Sequence, residues 1–323
     1  MKRAVHLFLV PLLSLAAPGA IAADVAADYP NRSIRFIAPF VAGGPSDMLS
    51  RLLGQKLTEI WGQPVIVDNR GSAGGVVGFE LGAKAGPDGY TLLLATSAGL
   101  TMNPHVYLKL PYDAQRDFQP ITQVTSGPYV MVVNPSVPAK SVPEFIALAK
   151  TKAGQINYAT TGTNNLLAME LLNYMAGIKT VAVAYKGTGQ AVNAIVSGEV
   201  QVFIINPLVG LPQVQAGKLR ALAVTGAKRS PALPELPAIA ETLPGFEQIV
   251  WHSVMAPARI PKPILAKLSK ELIRIIKLPE IKERFASQAL DAVGSTPEEL
   301  SALIKNESAM YAKLVKQIGF KPQ

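Results

Sequence analysis

Apolar residues along this chain come in short continuous runs, several of them followed by small residues and then by a helical pattern. The runs at 34–38 (IRFIA), 64–69 (PVIVDN), 91–96 (TLLLAT), 128–134 (PYVMVVN) and 156–160 (INYAT) read as strands. So do 181–185 (VAVAY), 200–206 (VQVFIIN), 220–225 (RALAVT) and 250–257 (VWHSVMAP). Most lack the alternation of a half-exposed strand, as expected where both faces of a parallel sheet are covered. Apolar positions at helical spacing fall between them, over 48–59, 142–152, 166–176 and 191–196. Strand and helix alternating in this order predict an α/β fold with doubly wound sheets.

A chain of 323 residues is long for one core, so two domains are expected. Segment 117–138 (DFQPITQVTSGPYVMVVNPSVP) reads as a proline-marked crossing into a second α/β set, which continues to 234–254. After Trp251 the pattern is almost wholly helical, and the simplest packing returns it to the first domain. The expected division is 24–125 with 249–323 as a discontinuous first domain and 126–248 as the second. Two connecting strands would then form a hinge.

The N-terminus bears on location. Lys2 and Arg3, the apolar run from Val5 to Ala17 and the small residues Ala20-Ile21-Ala22 read as a secretory signal peptide over 1–23. The run is well short of the ~20 residues that a membrane-spanning helix needs. The chain has no cysteine, which excludes disulfides, thiolate metal sites, a cysteine nucleophile and the lipidated cysteine of a lipoprotein anchor. An exported binding domain without an anchor stays with the cell only behind an outer membrane. A soluble periplasmic protein is therefore expected.

The formal charge of +9 falls to +7 once Lys2 and Arg3 are removed. Lys267, Lys270 and Arg274 alternate with Glu271, Glu280 and Glu283, as on a solvated helix face. Aromatic residues are only 7% of the chain and do not interleave with a stripe of one sign, so nucleic acid is not an expected partner. A modest positive field suits small anions.

The candidate chemistry lies in five small-residue turns, each placed after a strand and before a helical pattern. Where a helix opens on small residues, its backbone N–H groups face open space and favour an anion. Ligands of open α/β sheets sit beyond the carboxyl ends of the strands. Glycine's tolerance of tight geometry explains any one such turn equally well; several lining one cleft make a stronger pattern. Val41, Ala42, Gly43, Gly44, Ser46 and Asp47 form the first turn, and Ser72, Ala73 and Gly74 belong to the second. Ser97 belongs to the third, and Thr160, Gly162, Thr163, Asn164 and Asn165 to the fourth. Lys186 and Gly187 belong to the fifth. Arg70 and Lys186 are the only basic residues within these turns, which suits a carboxylate held by backbone dipoles. Asp47, near the third helical position, is expected to cap backbone groups, with pairing to an amino or hydroxyl group of the ligand as the alternative.

An enzyme is the competing class. The stretch ATSAG, 95–99, places Ser97 after a strand, loosely like a nucleophile elbow, but Ala95 stands where the first glycine belongs. A triad would draw on His252 and on Asp113 or Asp117. Ser97 serves equally well as a ligand hydroxyl. His105 and His252 lie far apart, without metal-ligand spacing or a carboxylate cluster. GSAGGVVG lacks both the Lys-Ser/Thr of a phosphate loop and the G-x-G-x-x-G spacing of a dinucleotide turn. The expectation is a binding protein with no catalytic residue, metal or cofactor, and the alternative is a Ser97-dependent periplasmic hydrolase.

The turns and their neighbours resemble a family. YPNRSIRFIAPFVAGGPSDMLSRLLGQKL, VIVDNRGSAGGVVGFELGAKAGPDGYTLLLATSAGLTMNP, YKGTGQAVNAIVSGEVQVFI, VQAGKLRALAVTGAKRSPALPELPAIAE and PARIPKPILAKL carry the likeness, which spans the chain beyond its leader. Together they resemble the periplasmic receptors of tripartite tricarboxylate transporters, the Bug or TctC-like solute-binding proteins. The resemblance implies two α/β domains joined by two strands, a Venus-flytrap that closes on a small carboxylate solute, with dicarboxylates and aromatic carboxylates as candidates. It implies a monomer working with transmembrane permease subunits; presentation of the solute to a membrane sensor is the alternative. Val41 to Asp47 and Ser72 to Gly75 would hold one carboxylate, partly through ordered water, and turns of the second domain would read the rest. Departures fall in that second half. The family's turn resembles Y-G-S-x-G-x-G-S-x-x-H-L, whereas this chain has YATTGTNNLLAM, with Asn164 and Asn165 for Gly and Ser and Ala168 for His. Asn206 stands where an Asp is common. Asn165 and Asn206 are therefore expected to tune selectivity through their side-chain amides.

Overall fold

Each expected apolar run carries a strand in the computed structural model, which describes residues 27–322. The signal peptide expected over 1–23 lies outside the described residues. In chain order the strands are β1 (Ile34–Ala38), β2 (Val65–Asn69), β3 (Thr91–Thr96), β4 (Phe118–Pro128), β5 (Val130–Val133) and β6 (Asn157–Thr160). They continue with β7 (Val181–Ala184), β8 (Val202–Ile205), β9 (Arg220–Val224), β10 (Ile249–Pro257) and the short β11 (Asp291–Ala292). They form two sheets, ordered β11-β4-β10-β3-β1-β2 and β7-β6-β8-β5-β9.

Helices interleave with the strands as the alternating pattern requires, and the fold is a doubly wound α/β arrangement. Both sheets are mixed rather than wholly parallel. β1 runs parallel to β2 and β3, and β6 runs parallel to β7 and β8. β10 is antiparallel to both β3 and β4, and β5 is antiparallel to β8 and β9. Continuous apolar runs reflect burial on both faces, which an antiparallel strand inside a covered sheet experiences equally.

The segment read as a crossing contains a full strand, β4. Its prolines disguise it: Pro120 pairs with Met255 beside a register shift between Val254 and Met255. A bulge tolerates a residue that cannot donate to the ladder. The chain passes to the second sheet through Tyr129 and returns through Gln248, and buried Thr225 ties the two passages together. Its Oγ1 accepts from Tyr129 N at 2.8 Å and donates to the Gln248 carbonyl at 2.6 Å.

Each sheet is covered on both faces by buried apolar clusters. Leu53, Leu57, Leu268 and Leu272 belong to one side of the first sheet, and Phe79, Trp251 and Leu300 to the other. Tyr158, Phe145 and Leu172 flank one face of the second sheet, and Phe203, Ile195 and Ala191 the other. The long Pro297–Gln317 helix starts with a capping box in which Thr296 and Glu299 satisfy each other's backbone N–H groups. Its Tyr311 and Val315 pack with Met102 of the first half and Leu167 of the second. No helix among the described residues is long and apolar enough to cross a membrane.

Candidate functional site

Four helices begin after short turns at the carboxyl ends of strands: Pro45–Trp61 after β1, Thr163–Ala176 after β6, Thr188–Ser197 after β7 and Pro207–Gln215 after β8. The first belongs to one sheet and the other three to the second. Small residues make these abrupt turns possible. Gly44, Gly162 and Gly187 are the N-cap residues of the first three, and none supplies a side-chain cap to the helix. Helix geometry leaves the N–H groups of the first turn without intrahelical partners. Asn206 caps the fourth helix, its Oδ1 accepting from Leu208 N at 3.0 Å.

These helix starts meet at a cavity between the two sheets, with about 60 Å³ of space open to the centres of water-sized molecules. At roughly 10–15 Å³ per water on this measure, it accepts a few water molecules or the end of a small solute. Ser46, Gly74, Gly162, Thr163, Asn164 and Asn165 of the small-residue turns line it, with Asn206, which the family resemblance had singled out.

The two halves are held together beside the cavity. Ser97 Oγ donates to Asn164 Oδ1 at 3.1 Å, and Thr163 Oγ1 donates to Asn103 Oδ1 at 2.6 Å. Gly162 lies so near Gly74 that a Cβ on Gly162 would stand 3.7 Å from the Gly74 Cα. Gly74 itself sits at φ 62°, and a Cβ there would come within 2.4 Å of the Tyr107 hydroxyl.

Other expected residues lie at the margin or serve the turns themselves. Val41, Ala42 and Gly43 are exposed and outside the lining, as is Lys186. Val41 packs against Gly187, where a Cβ would meet Val41 Cγ2 at 2.1 Å, so the first and fifth turns touch. Buried Gly44 faces Thr188, whose Oγ1 would lie 3.6 Å from a Cβ at Gly44. Ser72 Oγ accepts from Val77 N, Thr160 Oγ1 donates to the Gly162 carbonyl, and Ala73 is exposed.

Two residues are occupied within the protein, Asp47 in the capping role expected of it and Asn165 in a way the sequence does not reveal. Asp47 Oδ2 accepts from Gly43 N at 3.0 Å, so that N–H is not free for a ligand. Arg51 Nε lies 2.9 Å from Asp47 Oδ1, an ion pair by distance but not aligned as a hydrogen bond. Burial works against the Asp47 charge, yet the Gly43 N–H and Arg51 hold its carboxyl below the ordinary range. Asn165 is also spent: Oδ1 accepts from Thr161 N and Thr161 Oγ1, and Nδ2 donates to the Ile204 carbonyl at 2.7 Å.

The cavity also takes in residues that the turn pattern missed, among them Phe40, Thr161, Thr188 and Tyr129. Thr188 lies inside the fifth turn and Phe40 precedes the first, so proximity to a turn was an available signal. Phe203 with Ile205, and Val250 with His252, line it as alternate residues of β8 and β10. Period-two spacing marks a shared face but does not say that the face meets a cavity.

No Lys, Arg, Asp or Glu is among the lining residues. His252 is neutral at ordinary pH because burial lowers its pKa to about 4. Its Nδ1 is 3.0 Å from Thr125 Oγ1. The electrostatics of the site therefore come from helix N-termini and amide dipoles, which favour an anion. The Ser97 triad is not assembled: Ser97 Oγ is engaged by Asn164 and His252 by Thr125, while Asp117 accepts from Arg116 and Asp113 N in an exposed loop.

Residues 49–320 match the model of the tripartite tricarboxylate transporter family receptor. The chain is similar to the protein BugT of Bordetella pertussis, at 35% identity over 314 residues, spanning 94% of this chain and 95% of that protein. It is similar to the solved structure of R. palustris Rpa4515 with adipate, at 31% identity and a TM-score of 0.89, over 92% of this chain and 100% of that one. It is also similar to MatC from Rhodopseudomonas palustris with bound malate, at 28% identity and a TM-score of 0.84, over 89% of this chain and 100% of that one.

Proposed function

The chain belongs to the tripartite tricarboxylate transporter receptor family, and we propose that it captures a small carboxylate solute between its two sheets and delivers it to a membrane permease. Members of this family are solute receptors, not enzymes. The observation that carries the proposal is the convergence of helix starts from both sheets on one cavity that has no lining carboxylate. Each helix start lowers the energy of a buried negative charge without the desolvation that a buried cation would add. The adipate and malate in the two similar solved structures support a solute of that chemistry here.

The strand order supports a division into lobes, 24–125 with 249–323 and 126–248, because β10 lies between β3 and β4. Ser46, Gly74 and neighbouring N–H groups hold the carboxylate from the first lobe, and the helices after β6 and β7 close on the remainder. The protein works as a soluble periplasmic monomer after its leader is removed. An intact mass that begins near Ala23 or Asp24 in the periplasmic fraction checks that location.

Native mass spectrometry followed by calorimetry with aliphatic and aromatic mono- and dicarboxylates tests the binding function. At least one acid should bind and be recovered unchanged. At a hundred times its Kd it should stabilise the protein by ~2.7 kcal/mol. A protein that binds no carboxylate would overturn the proposal.

A further inference from the structure

Two side-chain amides that face the cavity, those of Asn206 and Asn164, have their oxygens in use and keep their nitrogens free. Asn206 is 6% exposed, and its Oδ1 is committed to Leu208 N. That bond sets the orientation of the amide and leaves Nδ2 without a partner among the described residues. Nδ2 is not sealed in the protein either, unlike the partnerless Ser50 Oγ and Ser253 Oγ. Asn164 repeats the arrangement: it is 8% exposed, Oδ1 accepts from Ser97, and Nδ2 remains.

The backbone carbonyls around them are engaged as well. The Gly162 carbonyl accepts from Leu166 N and Thr160 Oγ1, and the Asn206 carbonyl accepts from Val209 N and Gly210 N. The Gly74 carbonyl accepts from Asn103 Nδ2. Asp47, the one carboxylate in the surrounding turns, is held by Gly43 N and Arg51. An oxygen on the solute would find donors here. An ammonium group would lose its water and find no carboxylate and no free amide oxygen, only uncharged hydroxyl oxygens such as those of Thr161 and Thr163.

On the premise that this is a carboxylate site, we propose that its solute is a hydroxy or oxo acid, and that the site rejects the matching amino acid. Asn206 Nδ2 and Asn164 Nδ2 donate to the hydroxyl or oxo oxygen that the amino acid replaces with an ammonium. Asn206 is thus a specificity-determining residue, acting through its nitrogen.

Calorimetry with matched pairs tests this: pyruvate and lactate against alanine, malate against aspartate, 2-oxoglutarate against glutamate, and phenylpyruvate against phenylalanine. Within each pair the carboxylates are the same. Wherever a pair binds, the oxygen member should bind more tightly by roughly 30-fold or more. An amino acid that equals or exceeds its oxygen counterpart overturns the inference and leaves the carboxylate site standing. If no acid binds, from these pairs or from simple mono- and dicarboxylates, the carboxylate site falls and the inference falls with it.

Asn206→Asp assigns the effect to the residue. One Asp oxygen can still accept from Leu208 N, and the other takes the place of Nδ2. The substitution should narrow the gap within a pair by roughly tenfold or more, since it supplies the missing counter-charge. An unchanged gap in the folded variant removes Asn206 from the role. The wild-type comparison stands even if the variant does not fold.

Discussion

Ser97 Oγ donates to Asn164 Oδ1 across 3.1 Å, joining the turn after β3 in one sheet to the helix after β6 in the other. Ser97 is fully buried and Asn164 is 8% exposed, so water competes little for this bond. The parallel bond from Thr163 to Asn103 makes the approach of the two halves a property of the protein itself. Ser97→Ala removes the donor and leaves Asn164 Oδ1 without it. The expected cost is about 1–2 kcal/mol of stability, with a modest loss of solute affinity. Urea denaturation and calorimetry read both quantities; no change in either would show that the bond does not hold the halves.

Gly74 is more sensitive. Its φ of 62° disfavours any side chain, and an added Cβ would meet the Tyr107 hydroxyl at 2.4 Å. Gly74→Ala should cost roughly 1–3 kcal/mol and abolish or severely weaken binding of every solute. Tyr107→Phe in the same background should recover part of the stability, because it removes the atom that clashes. A Gly74→Ala protein with wild-type melting and affinity would refute this account.

Asn165 should behave as a structural residue and not as a selectivity filter. Its oxygen and nitrogen serve Thr161 and the Ile204 carbonyl, so Asn165→Ser leaves buried groups unpaired. The expected loss is about 1–3 kcal/mol, with all solutes weakened together. A changed rank order of solutes at unchanged stability would restore the view that Asn165 reads the ligand.

Thr225 locks the two passages between the sheets through Tyr129 N and the Gln248 carbonyl. Thr225→Val keeps the shape, but both bonds are lost and a donor and an acceptor remain buried. A loss of about 2–4 kcal/mol is expected. Faster amide exchange at Tyr129 would accompany it. Exchange unchanged at that amide would mean that Thr225 does not govern the passage.

The pH dependence of stability should carry the signature of Glu307. Burial raises its pKa to about 7, against the opposing pull of its bonds from Trp251 Nε1 at 2.8 Å and Thr101 Oγ1 at 3.5 Å. The folded protein keeps a proton that the unfolded chain gives up near 4.5. Its contribution is thus complete below about 4.5 and is lost as pH rises through about 7. His252 has the opposite sign: its contribution is present above 6.5 and is lost as pH falls through about 4. Melting temperature against pH should fall less steeply from 4.5 to 7 in Glu307→Gln than in wild type. Parallel profiles would remove Glu307 as the cause.

What the sequence determined by itself is most of the strands, β4 and β11 apart, and the small-residue turns that follow them. These properties are local: an apolar run, a few small residues and a helix start lie within a short stretch of chain, as at Ile34 to Ser46 or Asn157 to Asn165. Ser46, Gly74 and Gly162 reach the cavity for that reason. Only the tertiary structure decided which of their atoms stay free. Whether Asn165 reads a solute depends on the Ile204 carbonyl, far along the chain on another strand. His252 and Val250 enter the site because β10 returns to pair between β3 and β4, and no local pattern encodes that pairing. Hydrogen-bond partners distant in sequence consume some polar atoms and leave others, and that division is settled only when the two sheets meet.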